Sequence, residues 1–381
     1  MSKRFRLTKA SKILIVFLIV ALIGGGVFAG LKTGFIKTKT AASSDVKENV
    51  VAANKGTSSD SGTPSSKKTT KKTDGDATIN LSLDEWTGWK SIIDGNQGLT
   101  TQPGSIYDKL GIKVNINIIN DATQSSNALI KGDLNAAGYT INRTAFLSQK
   151  FTDAGKEVVM PFITNYSNGG DGIIAKSSIQ SVNDLVGAKI GVPEFSEAQT
   201  LVVWFVNNSD LSDEQKSEII DNLVLFSTAD DTAKAFFAGQ VDVAATWEPY
   251  LTQAQNMTDA HVLFSTASST NLVMDGILFD KEFAEAHPDV VEKFIQGALE
   301  ASSMYDTEFD AVREVMPMFN TASDEDIIAS TKTAKLTTWK DNSDLLNGTA
   351  KTIYSDMCNV WTSIGESVNA SLVDAIFDDT Y

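Results

Sequence analysis

Short segments with the composition of β-strands alternate with helical stretches from Ala77 onward, and this order constrains the fold more than any other feature of the sequence. Strands that alternate with helices form parallel-rich sheets, because each crossover helix packs back onto a face of the sheet. We predict an α/β fold with two lobes of such sheets flanked by helices, and a mostly helical region after Asn271. The predicted strands form two series, which cover residues 78–83, 113–119, 136–140 and 157–163 in the first and residues 172–175, 189–192, 223–226, 241–245 and 262–264 in the second.

The charge distribution separates a basic N-terminal part from an acidic remainder. Residues 1–78 carry 14 Lys and Arg against 5 Asp and Glu, whereas residues 79–381 carry 18 against 43. A folded region this acidic repels nucleic acid, so we exclude a nucleic-acid-binding function. Residues 32–77 are rich in Ser, Thr and Lys, which predicts a flexible linker because such a segment cannot bury enough apolar surface to fold.

A targeting segment precedes this linker. The basic n-region of residues 1–12 is expected to stay in the cytoplasm, and an uncharged run from Ile13 to Leu31 follows it. At about 1.5 Å per residue this run spans about 28 Å, which is close to the thickness of a bilayer core. Cleavage of a signal peptide near Ala29 and retention as a membrane anchor are both open, and the length of the run favours the anchor. In either case we predict that the rest of the chain is extracytoplasmic, anchored to the cell membrane or secreted.

The sequence is poor in residues that support metal, redox or nucleophilic chemistry. It contains one cysteine, Cys358, and two histidines, His261 and His287, so an intramolecular disulfide, a CxxC site and a His-rich metal site are excluded. Neither a Ser-His-acid set nor a phosphate-binding glycine loop is present. We therefore predict no cofactor, no metal and no enzymatic activity, and the paired acids Glu194 and Glu197 keep acid–base catalysis open only as a less favoured alternative.

The loops that follow the predicted strands carry the candidate ligand-binding residues. In open parallel sheets, ligands bind beyond the carboxyl ends of the strands, where loops and helix N-termini converge. Tryptophan faces attract cations, helix N-termini attract anions, and a guanidinium suits bidentate contact with an anionic group. The candidates are Trp86, Thr87, Trp89, Ser125, Arg143, Asn168, Asp171, Ser196, Gln199, Trp247 and Glu248.

Several of these residues also have a purely structural interpretation. Trp86 and Trp89 could cover the end of the sheet instead of a ligand. Ser125 could cap the helix that follows it, and Glu248 could pair with a lysine or cap the next helix. These alternatives stay open at the level of the sequence.

Arg143 is the sharpest single candidate. Residues 79–381 contain only two arginines, and Arg143 follows the end of a predicted strand. A guanidinium placed there could clamp a carboxylate, sulfonate or phosphate. It could equally be a surface arginine on a helix that begins near Asn142.

Three segments of the chain carry a resemblance to a known family. Residues 170–192 contain DLVGAKIGV, residues 235–249 contain GQVDVAATWEP, and residues 128–134 read ALIKGDL. Together they resemble the nitrate/sulfonate/taurine class of substrate-binding proteins of ABC importers, a group that includes binders of thiamine precursors. The resemblance covers roughly residues 78–300.

The resemblance implies a type II periplasmic-binding-protein-like fold, in which two lobes close around a ligand by hinge motion. We expect lobe 1 to comprise residues 78–168 and 272–381, and lobe 2 to comprise residues 169–271. The family would place Asn168 to Asp171 near the first crossover between the lobes.

The same resemblance implies a position for the ligand. Ser196 to Thr200 would form a helix N-terminus that faces the ligand, and Trp247 with Glu248 would form the opposite wall. The implied partners are a small-molecule ligand and the membrane subunits of an ABC permease with its cytoplasmic ATPase. We expect the protein to be a monomer.

Acidic residues dominate the strand-end loops and indicate the class of ligand. Sulfonate binders of this class tend to use small polar loops where this chain has Trp86-Thr87-Gly88-Trp89, so the chain departs from them. A zwitterion or amine is favoured first, then a neutral aromatic heterocycle stacked on Trp89 or Trp247, and then an inorganic anion. The acids that surround the single Arg143 are Asp84, Glu85, Asp121, Asp171, Glu194, Glu197 and Glu248.

The sequence therefore predicts the extracytoplasmic solute-binding component of an ABC importer. It would capture a small organic solute, which is a zwitterion, an amine or a sulfonate-like compound, in a cleft between the lobes. The alternative is an extracellular ligand-sensing domain, and an enzyme on the same fold is less favoured.

Overall fold

The computed structural model of the chain describes residues 77–269 and 272–380, which lie within one compact unit, Thr70–Tyr381. The predicted targeting segment of residues 1–31 lies outside the described residues, and so does the predicted linker of residues 32–77 apart from Ala77. Within the described part of the chain, no helix is long and apolar enough to cross a membrane.

Twelve β-strands in the described residues form two mixed sheets. In chain order they are β1 (Thr78–Leu83), β2 (Lys113–Ile118), β3 (Ala136–Thr140), β4 (Val158–Val159), β5 (Ile163–Ser167), β6 (Asp171–Lys176), β7 (Ile190–Pro193), β8 (Val224–Phe226), β9 (Val243–Trp247), β10 (Ala260–Ser265), β11 (Met274–Asp280) and β12 (Ala334–Leu336).

The first sheet has the strand order β12-β5-β11-β3-β1-β2, and the short β4 pairs with β11. Strand β1 runs parallel to both of its neighbours, β2 and β3. Strand β11 runs antiparallel to β3 and β5, and β5 runs antiparallel to β12. In the register of β1 and β2, Leu83 lies beside Ile118, so these strands end together. The carboxyl ends of β1, β2 and β3 therefore share one edge of the sheet.

The second sheet has the strand order β10-β6-β9-β7-β8. Strand β7 runs parallel to β8 and β9, whereas β6 runs antiparallel to β9 and β10. Its strands all fall between β5 and β11 of the first sheet, so the chain crosses between the sheets twice. Thr266 joins the two crossings, because its Oγ1 lies 2.8 Å from Ser167 Oγ and accepts a hydrogen bond from the Gly169 N–H at 2.8 Å.

Fifteen α-helices in the described residues flank the two sheets. They are α1 (Lys90–Asn96), α2 (Ile106–Lys109), α3 (Ala122–Lys131), α4 (Ile141–Asp153), α5 (Glu197–Asn207), α6 (Asp213–Asp221), α7 (Ala229–Phe237), α8 (Tyr250–Gln255), α9 (Lys281–Ala286), α10 (Pro288–Ala301), α11 (Asp310–Val315), α12 (Asp324–Thr331), α13 (Trp339–Asp344), α14 (Ala350–Ser363) and α15 (Val373–Ile376).

Four helices begin shortly after parallel strands, each on a capping side chain. An N-cap oxygen that accepts from a backbone N–H satisfies one of the unpaired donors in the first helical turn. These caps place the starts of α3, α4, α5 and α7 at the carboxyl edges of the sheets, and in α7 the Asp231 N–H donates to Thr228 Oγ1 at 3.0 Å. The other three capping bonds are Gln124 N to Asp121 Oδ1 at 2.8 Å, Arg143 N to Thr140 Oγ1 at 3.0 Å, and Gln199 N to Ser196 Oγ at 3.2 Å.

Two features of the sheets differ from the sequence prediction. The sheets are mixed, because antiparallel strands flank the parallel core of each. The region after Asn271, predicted to be mostly helical, contributes β11 to the middle of the first sheet and β12 to its edge. Strand β11 is buried from Met274 to Phe279 and is apolar over most of its length. Such a run lacks the alternation that marks a half-buried strand, so periodicity does not separate it from a buried helix.

Two hydrophobic clusters cover the two faces of the first sheet. Neighbouring residues of β3 belong to different clusters, because successive side chains of a strand point to opposite faces. One cluster contains Trp89 and Phe294, and the other contains Phe151 and Trp361. Both faces are therefore fully packed, and the carboxyl edge of the sheet is left for other contacts.

Gly170 lies in the first crossing, and a side chain there would collide with Trp86. A Cβ at this position would lie 2.3 Å from Trp86 Cη2 and 2.9 Å from Thr333 Oγ1. We expect Gly170→Ala to lower the free energy of unfolding by about 1–3 kcal/mol, because buried Trp86 must repack. The matched control is Gly348→Ala, whose Cβ meets nothing within 4 Å and whose effect should stay within about 0.5 kcal/mol. Urea denaturation measures both, and equal stability of the two variants would contradict the contact.

Candidate ligand-binding site

A cavity of about 340 Å³ lies at the carboxyl ends of the parallel strands of both sheets. The first sheet contributes residues that follow β1, β2 and β3, and the second contributes residues that follow β7, β8 and β9. Pro317 and Met318, in the turn after α11, complete the wall. The cavity therefore lies where open α/β sheets bind ligands, with loops from both sheets around it.

On the first-sheet side, the cavity wall is an interlocked pair of polar side chains. Glu85 Oε2 accepts from Asn120 Nδ2 at 2.8 Å, and Asn120 Oδ1 accepts from the Glu85 N–H at 3.0 Å. The other Glu85 oxygen, Oε1, accepts from the Met318 N–H at 2.8 Å. These bonds join the loops after β1 and β2 to the C-terminal half of the chain.

On the second-sheet side, strand β9 ends on Trp247 at the cavity, and acidic side chains form the wall beside it. Glu248 accepts hydrogen bonds from Thr252 N at 3.1 Å and from Thr252 Oγ1 at 2.9 Å. Tyr250 donates its hydroxyl to Asp230 Oδ1 at 2.9 Å. Glu248 is buried, and burial raises the pKa of its carboxyl group. The carboxyl groups of Asp230 and Glu248 therefore both accept hydrogen bonds from the chain itself.

A second, narrower cavity of about 10 Å³ adjoins the first, and Trp247 lines both. Four carboxyl groups line it together with Trp86, Thr140 and Val273. The four carboxyl groups, which we call the acid cluster, belong to Asp84 after β1, Asp171 at the start of β6, Glu197 at the start of α5 and Asp275 in β11.

Arg143 is the cation that pairs with the acid cluster. Its Nη1 lies 3.0 Å from Asp84 Oδ2, and its Nη2 lies 3.3 Å from both carboxylate oxygens of Glu197. The guanidinium also borders the larger cavity. Among the described residues, neither Asp171 nor Asp275 has an ion-pair partner, so two of the four carboxyl groups are left without a cation.

Burial changes the protonation of three members of the acid cluster, Asp171, Glu197 and Asp275. Burial, with the nearby Glu197 carboxylate, raises the pKa of Asp171 to about 8. Burial, with the nearby Asp171, raises the pKa of Asp275 well above its ordinary value, and burial also raises the pKa of Glu197. Carboxyl groups that lose hydration hold their protons, because the charged form loses more hydration than the neutral form. Among the described residues, no group of three or more His, Cys, Asp or Glu could hold a metal ion.

The residues predicted from the sequence fall into three groups in the structure. Arg143, Ser196, Trp247 and Glu248 line the larger cavity. Trp86 and Asp171 line the narrower one. The remaining five line neither cavity: Thr87, Trp89, Ser125, Asn168 and Gln199.

The five residues outside the cavities have structural contacts instead. Trp89 is buried and donates its Nε1–H to Asp84 Oδ1 at 2.7 Å, so it supports the acid cluster from behind. Ser125 contacts the Tyr139 hydroxyl, and Gln199 Oε1 accepts from the Phe195 N–H at 2.7 Å. The remaining two are Thr87, whose carbonyl oxygen accepts from the Tyr305 hydroxyl, and the exposed Asn168, whose N–H donates to Thr333 O.

The alternative that Arg143 is a surface arginine is wrong. Arg143 does lie in the first turn of α4, as that alternative assumed, but it is buried. Carboxylates of the chain itself occupy both terminal nitrogens of its guanidinium. An anion clamp would have to compete with Asp84 and Glu197 for these donors.

Sequence reasoning also missed residues of both cavities. Thr228 and Asp230 follow β8, and the rule of strand ends would have found them because 223–226 was a predicted strand. Asp275 had no such signal, because it lies inside a strand that was not predicted. Met318 comes from a turn whose position depends on the packing of the C-terminal helices.

The fold is that of a two-lobe periplasmic binding protein. The periplasmic aliphatic sulphonate-binding protein SsuA of Escherichia coli superimposes with a TM-score of 0.59 at 15% identity, covering 79% of this chain and 97% of that chain. The alkanesulfonate-binding protein SsuA of Xanthomonas axonopodis pv. citri bound to MOPS gives 0.60 at 14%, covering 79% and 98%. The periplasmic nitrate-binding protein NrtA of Synechocystis PCC 6803 gives 0.56 at 12%, covering 78% and 85%. At these identities the likeness establishes the fold.

A sequence family can be assigned as well. The family model described as NMT1/THI5 like matches residues 105–305, which is more than half of the chain. The chain belongs to the NMT1/THI5-like family. No protein of curated function matches the sequence.

Proposed function

We propose that this protein is the solute-binding component of an ABC importer, which captures a small organic solute between two lobes and delivers it to a permease. The observation that carries the proposal is the cavity of about 340 Å³ enclosed by strand-end loops of both sheets. Cavities of about 300–1,000 Å³ suit small molecules. Structural neighbours named as sulphonate- and nitrate-binding proteins support the same function.

The proposed lobes are residues 78–168 with 272–381, and residues 169–271. The composition of the two sheets supports this division, because β6 to β10 form one sheet and the remaining strands form the other. We propose that the protein works outside the cytoplasm, for which the apolar run from Ile13 to Leu31 is the support. Retention of this run would tether the binding protein near its permease, and cleavage would release it.

The cavity walls favour a ligand with a positive group. Around the larger cavity, the acids Glu85, Glu194, Asp230 and Glu248 face one arginine, which already pairs with carboxylates of the chain. A bare anion would lose its hydration without gaining free donors there. A zwitterion or amine gains carboxylate partners and the face of Trp247. We therefore propose that Trp86, Arg143, Asp171, Ser196, Trp247 and Glu248 form the binding site.

A thermal-shift screen of the purified protein tests the proposed function. The panel comprises primary amines, amino acids, taurine, betaines, alkanesulfonates, pyrimidine precursors of thiamine, and nitrate. A ligand at 100 times its Kd stabilises the folded state by about 2.7 kcal/mol, which raises the melting temperature by several degrees. Stabilisation by one chemical class supports a solute-binding function. If no class stabilises the protein, the proposed function fails.

Replacement of Trp247 tests whether the cavity is the binding site. We expect Trp247→Ala to weaken binding of the ligand found in the screen at least tenfold, because the substitution removes an aromatic side chain that lines both cavities. Isothermal titration calorimetry below the melting temperature of the variant measures the change. The matched control is Trp339→Ala, since Trp339 is 60% exposed and lines neither cavity. Equal affinities of the two variants would place the site elsewhere.

A further inference from the structure

We propose that the narrow cavity within the acid cluster is a binding site for the primary ammonium group of the ligand, while the body of the ligand occupies the larger cavity. This inference rests on the proposed function and names the class of solute: a small organic molecule with an unsubstituted, protonated amine at one end. Four observations support it, namely an unpartnered carboxyl oxygen, an excess of acid, the size of the cavity and its connection to the larger cavity.

The first observation is a buried carboxyl oxygen without a hydrogen-bond partner. Asp275 is 2% exposed, lines the narrow cavity, and its Oδ2 atom has no hydrogen-bond partner among the described residues. A buried polar atom without a partner destabilises the folded protein, so one that borders an open space marks the place of a missing donor. An ammonium group brings three N–H donors and no acceptor, which suits a wall of carboxyl oxygens.

The second observation is the charge balance. Arg143 pairs with Asp84 and Glu197, which leaves Asp171 and Asp275 without a cation in the described part of the chain. The charged groups that act most strongly on these two carboxyls are other members of the acid cluster, Arg143 and Glu248, and the titratable Tyr305 hydroxyl also interacts with Asp275. A bound cation that displaces the protons of these two carboxyls would therefore meet net negative charge in a site of low dielectric, where each ion pair is stronger than in water.

The third observation is size. The narrow cavity measures about 10 Å³, which is close to the space that one water molecule requires. An –NH₃⁺ group is of that size, whereas a trimethylammonium group is several times larger. Trp86 and Trp247 border the cavity, and aromatic faces stabilise a neighbouring cation. The arrangement therefore selects a primary amine against its quaternary analogue.

The fourth observation is the connection between the cavities. Trp247 lines both, and Arg143 borders the larger cavity while it contacts two carboxylates of the narrower one. A ligand that places its ammonium group against Asp275 can therefore extend its other atoms toward Ser196 and Glu248 in the larger cavity.

A metal ion is a less suitable occupant of the narrow cavity than an ammonium group, because no cluster in the described residues could hold a metal ion.

Binding at this site is coupled to proton release. In the empty protein, burial keeps the pKa of Asp171 at about 8 and that of Asp275 well above its ordinary value, so protons occupy the site at neutral pH. An incoming ammonium group displaces them: the carboxyl proton passes to solvent, and the carboxylate that remains pairs with the ammonium. For each proton released, affinity rises up to tenfold per pH unit below the pKa of the carboxyl group. The contribution of Asp171 to this rise should level off above a pH of about 8, where Asp171 has already lost its proton.

Isothermal titration calorimetry on the full chain tests the inference with matched probes. The pairs are ethanolamine with choline, taurine with its N-trimethyl analogue, and 4-aminobutyrate with its N-trimethyl analogue. We expect a primary amine to bind at least tenfold more tightly than its trimethylated partner, and its affinity to rise between pH 6 and pH 8. Repeating the titration in buffers of different protonation enthalpy should show release of at least a fraction of one proton.

Variants locate the effect within the acid cluster. We expect Asp275→Asn to lower the affinity for the primary amine at least tenfold and to reduce the number of protons released on binding. Asp171→Asn serves the same purpose if Asp275→Asn fails to fold. The matched control is Asp356→Asn, an exposed acid on α14 with the same change of charge, which should leave affinity within twofold.

The outcomes separate this inference from the proposed function. If an alkanesulfonate or a pyrimidine stabilises the protein in the screen while every primary amine fails to bind, solute binding stands and the ammonium site is overturned. Equal binding of an amine and its trimethylated analogue also overturns the site, and so does an affinity that does not change with pH. If no solute of any class binds, the proposed function fails first.

Discussion

Replacing Trp361 with alanine is expected to lower the free energy of unfolding by about 3–5 kcal/mol. The side chain is fully buried in the second hydrophobic cluster of the first sheet. Its ring lies 4.9 Å from that of Phe146, and its Nε1–H donates to the Asn142 carbonyl oxygen at 2.9 Å. The substitution therefore creates a cavity and also leaves a carbonyl oxygen without this donor. Urea denaturation followed by tryptophan fluorescence or circular dichroism measures the loss.

Trp361 also supports the candidate site indirectly, through its contacts with helix α4. Asn142 precedes Arg143 in the first turn of α4, and Phe146 on the same helix stacks on Phe195 at 4.4 Å between ring centroids. The exposed Trp339 is the matched control, and Trp339→Ala should change stability by about 0.5 kcal/mol at most. A loss of less than about 1 kcal/mol in Trp361→Ala would show that α14 does not stabilise α4 as the contacts indicate.

The free energy of unfolding of the ligand-free protein is expected to fall as the pH rises from about 5 to about 8. Asp171 has a pKa of about 8 in the folded state, above the ordinary value near 3.8 that it has in the unfolded chain. Between these values the folded state binds a proton that the unfolded state does not, so each pH unit lowers stability by up to about 1.4 kcal/mol for this group. This contribution is complete below about pH 4 and is lost as the pH approaches 8. Asp275 and Glu197 act in the same direction.

Asp171→Asn isolates the contribution of one carboxyl group. Asparagine has nearly the same shape and carries no titratable proton, so the difference in stability between the variant and the parent should change in favour of the variant from pH 5 to pH 8. Urea denaturation at four pH values between these limits measures the trend. A parallel pH dependence in both proteins would show that Asp171 is ionised in the folded state throughout.

The parts of the fold that local chemistry determines could be predicted from the sequence. Strands β1 and β3 coincide with the predicted segments 78–83 and 136–140. Their composition is typical of buried strands; Asp84 follows β1 directly, and β3 itself ends on the polar Thr140. The rule that ligands bind beyond such ends led to Ser196 and Trp247, and both line the larger cavity.

The parts that depend on long-range pairing could not be predicted in this way. The partners of Arg143 are Asp84 and Glu197, which are distant in sequence and meet only because α4 and α5 begin where β1 ends. Asp275 enters the acid cluster through β11, whose apolar composition gave no periodicity. Trp89 does follow β1, as the sequence indicates, but its ring packs in the hydrophobic core while its Nε1–H donates to Asp84.

The position of β11 also has a consequence for the order in which the chain can fold. In the finished sheet β11 lies between β3 and β5, but in the sequence it follows every strand of the second sheet. During synthesis, β1 to β5 therefore leave the ribosome long before the strand that joins β3 to β5 is made. Pairing between strands so distant in sequence is slow. Strands β3 and β5 therefore have no strand between them until β11, which ends at Asp280, has been added.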